Sequence, residues 1–153
     1  MLIVGEPLVL GQSSEPPPIQ VKTVVDAASE PTTASRYLSQ QWLRLGIEYH
    51  QDGKLDRAEQ QYRESLWTDP THVHAINGIG VIFMQRQQYL QAIQWLERAV
   101  ELAPLQSAIW SNLCVAYSSA FRYDEAVRAA AKAVELDPTN PEATLNYAAA
   151  LSA

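Results

Sequence analysis

One cysteine, Cys114, stands among 153 residues, so the chain can close no internal disulfide. No apolar run approaches the roughly 18–20 residues that a helix needs to cross a bilayer. Positive charge is scarce. Eleven Lys and Arg face 17 Asp and Glu, the net charge is −6, and the basic residues are scattered along the chain. Nucleic-acid modules gather a basic face, so this balance argues against a phosphate-backbone partner. A phosphate-cradling loop is missing as well, because no strand pattern precedes Gly78-Ile79-Gly80. His72 and His74 lie two residues apart beside Asp69, with His50 far off along the chain. A metal site needs three or four converging ligands, and helical pairs take the i, i+4 spacing. We therefore expect no metal, no cofactor and no catalysis. The first ten residues, MLIVGEPLVL, lack the basic start of a secretory signal and contain Glu6 and Pro7. The expected location is cytoplasmic, with export on a removed or replaced leader left open.

The order in the chain is a repeat. Pro70, Pro104 and Pro138 recur every 34 residues, each behind the same apolar pattern. With the proline at position 32, the units are Ser39–His72, Val73–Gln106 and Ser107–Asn140. Position 4 is then Trp42, Ile76 and Trp110. Position 7 is Leu45, Ile79 and Leu113, and position 11 is Tyr49, Phe83 and Tyr117. The small position 8 is Gly46, Gly80 and Cys114. Position 20 is alanine throughout, as Ala58, Ala92 and Ala126. Position 24 is Tyr62, Leu96 and Ala130, and position 27 is Ser65, Ala99 and Ala133.

Positions 4, 7, 8 and 11 share one helical face, as do positions 20, 24 and 27 on a second helix. Small residues at 8 and 20 let the two helices approach, and the large ones fill the space between them. Each proline ends the second helix, because it cannot continue a helix interior and pushes the preceding residue out of the helical region. The pattern predicts helices over about 38–51, 55–67, 73–85, 89–102, 107–119, 123–136 and 141–152. Asn140 as N-cap, Pro141 in the first turn and Glu142 facing the helix dipole mark the last start. Cys114, at a small core position, reads as a buried hydrophobe rather than a reactive thiol.

These rows resemble the tetratricopeptide repeat (TPR) family, over Ser39 to Ala153. The resemblance implies an all-α right-handed superhelix (an α-solenoid) of three full 34-residue repeats plus one further helix. Residues 1–36, rich in Pro, Ser and Thr, would be an irregular leader ahead of a repeat domain over 37–153, whose last, partial unit is 141–153. One apolar stretch of that leader could dock on the repeats, or the whole could be a tether. One departure concerns the turn inside each unit, where glycine commonly permits a left-handed backbone. Gly53 supplies it once, but the matching residues are Gln87 and Phe121. We expect those two turns to be re-shaped, or Phe121 to be held by packing.

By the same resemblance, positions 2, 5, 9, 12 and 13 face a concave groove. Position 9 is Ile47, Val81 and Val115, which reads either as a binding floor or as a completion of the inter-helix core. The predicted contact residues are Leu43, Ile47, His50, Asn77, Val81, Met84, Ser111 and Val115. TPR domains that grip acidic chaperone tails use a clamp of Lys, Asn and Arg. The corresponding positions here are Leu43, Ile47, Gly78, Ala108 and Asn112, and none matches. Asn112 and Asn146 occupy position 6 of consecutive units, as in TPR domains of glycosyltransferase type, but Arg44 and Gly78 interrupt the series.

The implied function is a non-catalytic protein-interaction scaffold that holds a neutral, partly apolar peptide segment or helix. Two other functions stay open: the targeting or regulatory segment of a longer enzyme such as a glycosyltransferase, and a pilus or secretion assembly factor. The implied partner is a protein or peptide, with no nucleic acid and no membrane span. The last helix carries apolar residues on two faces, through Tyr147, Ala148 and Leu151 and through Leu145 and Ala149. It is either the cut edge of a longer array or a surface for a homodimer, which could also form through the leader.

Overall fold

In the computed structural model, residues 31–152 are described. They form seven helices: α1 (Thr33–Gln51), α2 (Leu55–Thr68), α3 (Val73–Gln85), α4 (Tyr89–Leu102), α5 (Ser107–Ser119), α6 (Tyr123–Leu136) and α7 (Pro141–Leu151). Six of them match the periodic pattern to within one residue at each end. The exception is α1, which begins at Thr33 rather than near residue 38. Thr32 caps it, its side chain accepting from the Ser35 backbone N–H at 3.1 Å, directly after Pro31. The irregular leader expected over 1–36 therefore ends sooner, and the docking of its apolar runs lies outside the described residues.

Successive helices pair as hairpins, α1 with α2, α3 with α4 and α5 with α6, and α7 packs on α6 and α5. Each odd-numbered helix also lies beside the next, which is the stacking of a solenoid. The alanines at position 20 are fully buried in all three units, and position 24 (Tyr62, Leu96, Ala130) is buried throughout. The pattern missed two further buried rows. Ala75 and Ile109 at position 3, and Ile82 and Ala116 at position 10, are also core. In α1 the same positions carry Gln41 and Glu48, which keep access to water. No helix precedes α1 among the described residues to cover them.

Sizes at the helix crossings complement one another. The Tyr62 ring lies between two glycines: a Cβ on Gly46 would stand 2.5 Å from it, and one on Gly78 would stand 2.7 Å from it. A Cβ on Gly80 would meet Leu96 at 2.8 Å. Position 24 shrinks from Tyr62 to Leu96 to Ala130, while position 8 goes from Gly46 and Gly80 to Cys114. Position 6 of the following unit is Gly78 opposite the tyrosine and asparagine, Asn112 and Asn146, in the later units. Cys114 fills the last crossing, and burial pushes its thiol pKa up, as befits a packing role.

Polar pairs close the seams. Ser39 and Ser65 exchange hydroxyl-to-carbonyl bonds, each at 2.9 Å, across α1 and α2. Asp69 accepts from the backbone N–H and the hydroxyl of Thr71 at 3.0 and 2.7 Å, and Asp137 does the same with Thr139, shaping the connectors beside Pro70 and Pro138. Arg86, at the end of α3, reaches Asp56 and Glu59 on α2 and so ties the first two units together. Burial pushes the Glu59 carboxyl pKa up, but hydrogen bonds from Arg86 and Arg63 outweigh it and hold the group below its ordinary range.

The turns within the units correct the expectation of re-shaped backbones. Gly53, Gln87 and Phe121 all adopt left-handed φ, at 73°, 60° and 61°. The same closing bond recurs at 2.9 Å in each: Lys54 N–H to Tyr49 C=O, Gln88 N–H to Phe83 C=O, Arg122 N–H to Tyr117 C=O. This is one Schellman-type cap used three times. Nor is Phe121 held by burial, since it is 78% exposed and only edges against Tyr123. Phe121→Gly is therefore expected to raise stability by about 1 kcal/mol, because the left-handed penalty of about 1–2 kcal/mol disappears while little packing is lost. Urea unfolding of the two forms checks this, and a destabilised variant would mean that the ring makes contacts of real value.

Candidate functional site

The odd-numbered helices line the inner face of the stack. Between α1 and α3 this face opens into a cavity of about 430 Å³, lined by Leu43, Ile47, His50, Gln51, Tyr62, His74, Asn77, Gly78 and Val81. Its walls come from the side of each helix left over after positions 4, 7, 8 and 11 have turned to the core. No Lys, Arg, Asp or Glu side chain lines it.

Five of the eight predicted contact residues meet here: Leu43, Ile47, His50, Asn77 and Val81. The other three lie apart from this cavity. Met84 is partly buried and packs against the main core cluster. Ser111 is 3% exposed, at the bottom of the inner face of α5. Val115 stands further along α5, 38% exposed. Position 9 remains open to solvent at both ends of the stack, because Ile47 is 40% exposed. A residue completing the inter-helix core would be covered like Ile79 or Leu113.

The cavity carries an ordered polar edge. His50 Nε2 bonds Gln85 Oε1 at 2.9 Å, so that nitrogen carries the proton and donates. His50 Nδ1 then faces the Tyr62 hydroxyl at 3.4 Å, a long contact. Burial raises the Tyr62 phenol pKa. Asn112 Nδ2 donates to Asn77 Oδ1 at 2.9 Å. Both inter-helix bonds join residues 35 apart, one unit plus one residue. The sequence reading missed Tyr62 as cavity wall, since position 24 reads as packing, and it took Gly78 as a gap in the clamp and asparagine series. Their signal was the size match between a tyrosine at position 24 and glycine at position 6 of the next unit.

The five positions of a carboxylate clamp bring no cation. Leu43, Ile47 and Gly78 line the neutral cavity, Ala108 is exposed on α5, and the Asn112 amide is engaged by Asn77. His72 and His74 meet in a T-shaped arrangement, at 6.1 Å between ring centres. Among the described residues no three His, Cys, Asp or Glu side chains converge as a metal site would require. No described helix is long and apolar enough to cross a membrane.

Tetratricopeptide repeat family models match residues 43–107 and 107–140. Among curated proteins, the chain is similar to BBSome complex member BBS4 of Bos taurus, at 27% identity over 110 residues, 72% of this chain and 21% of that protein. It thus spans about a fifth of the length of the curated relatives it matches. Among solved structures, it is similar to the first TPR of Spaghetti (RPAP3) bound to an HSP90 peptide. The TM-score there is 0.74 at 20% identity, covering 76% of this chain and 93% of that one. The Thermobaculum terrenum O-GlcNAc transferase is similar with a TM-score of 0.74 at 22% identity, covering 78% of this chain and 23% of that one. The two family matches together run unbroken from residue 43 to residue 140, over the helix pairs described above, and the chain belongs to the tetratricopeptide repeat family.

Proposed function

We propose that the chain is a non-catalytic interaction scaffold whose inner groove holds a neutral, partly apolar peptide segment or helix. One observation carries this: the groove floor is apolar, open at Ile47, and free of Lys, Arg, Asp and Glu. An open apolar floor with a polar rim gains by being covered. Covering about 400 Å² of it contributes on the order of 10 kcal/mol gross at about 25 cal/mol per Å². Ordering and association consume most of that, which leaves affinities around micromolar. The contacts proposed are Leu43, Ile47, His50, Asn77 and Val81, with Met84, Ser111 and Val115 on the continuation of the same inner face.

Two comparisons support a protein partner. The BBS4 relatives are named as members of a complex, and the RPAP3 domain was solved with a peptide bound. The chaperone-tail ligand of that domain does not transfer, because an acidic tail would meet no charge-assisted donor in this groove.

The test is selection from a random linear peptide library on the immobilised chain. The expected winners are uncharged overall, carry two or three aliphatic residues, and bind with micromolar affinity. Enrichment of acidic peptides, or none over a column blank, would overturn the proposal.

A further inference from the structure

Two residues on one edge of the stack cost the single chain stability and return little to it. Position 15 is glycine in the first unit, where the backbone turns left-handed at Gly53, but Phe121 takes that place in the third unit, with φ at 61°. Position 18 lies in the first turn of each second helix, where a carboxylate faces the positive end of the helix dipole. The first and third units place Asp56 and Asp124 there, and the second places Leu90. Both departures put a large apolar side chain into water: Leu90 is 68% exposed, and Phe121 more so. They also meet. Leu90 and Phe121 border one cleft of about 410 Å³ between the turn of the second unit and that of the third, walled otherwise by glutamines, Tyr89, Ser119 and Ala120.

Strain kept at one spot points to a use for it, and an exposed apolar pair beside a cleft marks a surface that gains by being covered. Shape and charge together name the occupant. The patch carries a projecting ring and, next to it, a hollow that can take one, so it can mate with its own image about a twofold axis. No Lys, Arg, Asp or Glu lines the cleft. The two arginines that flank it are engaged, Arg86 by Asp56 and Glu59, and Arg122 by Glu125. Two clefts therefore meet without opposing like charges, although each chain carries a net −6. We propose that this edge pairs two copies of the chain, with Phe121 of each lying in the cleft beside Leu90 of the other. The contact shares no residue with the cavity between α1 and α3 or with α7. Its extent puts it in the weak class of interfaces, below about 1,200 Å² in total.

Sedimentation equilibrium of the full chain, from about 10 μM to about 1 mM, tests this. The parent's average mass is expected to climb from 17.0 kDa toward twice that value, while Phe121→Gly and Leu90→Ser stay at the single-chain mass throughout. Phe121→Gly relieves a strained turn and Leu90→Ser changes one exposed side chain, so both should keep the parent's helicity, which circular dichroism checks. Leu151→Ser, at the exposed end of α7, is the control and should pair like the parent. In a mixture of ¹³C-labelled and unlabelled chains, nuclear Overhauser contacts filtered for different copies should join the Phe121 ring to the Leu90 methyls. A parent that stays a single chain to about 1 mM would overturn the proposal. So would pairing that survives Phe121→Gly, pairing that Leu151→Ser abolishes, or contacts between copies that leave out Phe121.

Discussion

Replacing Tyr62 with alanine is expected to lower the unfolding free energy by about 3–5 kcal/mol, the range for deleting a large buried ring. Against a domain stability of about 5–15 kcal/mol, that is close to the whole margin. The ring is buried and bridges three helices: it projects from α2 and occupies the space left by Gly46 on α1 and Gly78 on α3. Nothing nearby can collapse into the vacancy, because both facing residues lack a side chain. The same geometry makes a sharper expectation. Gly46→Ala should cost about 1–3 kcal/mol through overpacking against a rigid ring, although alanine gains up to about 1 kcal/mol over glycine in a helix interior. In the Tyr62→Ala background the sign should reverse, since the methyl then partly fills the cavity. A double-mutant cycle by urea unfolding reads this directly. An additive cycle would show that the ring is not lodged as described.

Val81→Glu is expected to weaken a library-selected peptide by at least about 100-fold, near 2.7 kcal/mol, because a bound guest would bury the carboxylate without a partner. Stability should change by less than about 1 kcal/mol, because Val81 is only half-buried and the new side chain can reach water through the open cavity. The contrast between the two readouts is the point of the experiment. A variant that unfolds would place position 9 in the inter-helix core, and one that binds normally would move the site off this face.

Much of the fold was legible because 34-residue spacing, helical periodicity and terminal prolines act locally and agree with one another. Six helices could be bounded from those signals alone. The start of α1 was not, because Thr32 caps a stretch with no apolar periodicity of its own. Core positions 3 and 10 were hidden for another reason. They are covered by the preceding helix pair, so α1 shows polar Gln41 and Glu48 where α3 and α5 show Ala75, Ile82, Ile109 and Ala116. A row that changes chemistry between units looks like noise until stacking is considered. The left-handed turns at Gln87 and Phe121 defied residue preference because the closing hydrogen bonds outweigh the strain. On the inner face, the resemblance grouped Leu43, Ile47, His50, Asn77 and Val81, and these five line one cavity. It could not show that Gly78 is small because of Tyr62, or that Ser111 sinks below the surface.

The graded crossings have a consequence for how such an array can grow. If every junction were alike, units could be duplicated or shuffled like tiles. Here the first two joints are cut to their neighbours: the Tyr62 ring fills the space left by Gly46 and Gly78, and Leu96 that left by Gly80, while the third unit carries Ala130 at the same position. A chain with the second and third units transposed would bring Asn112 to the place where Gly78 now clears the Tyr62 ring, and the first joint would no longer close. The order of the units is thus written into their mating surfaces. A spliced-in copy could be accepted at one joint only after its side chains had been re-cut to fit.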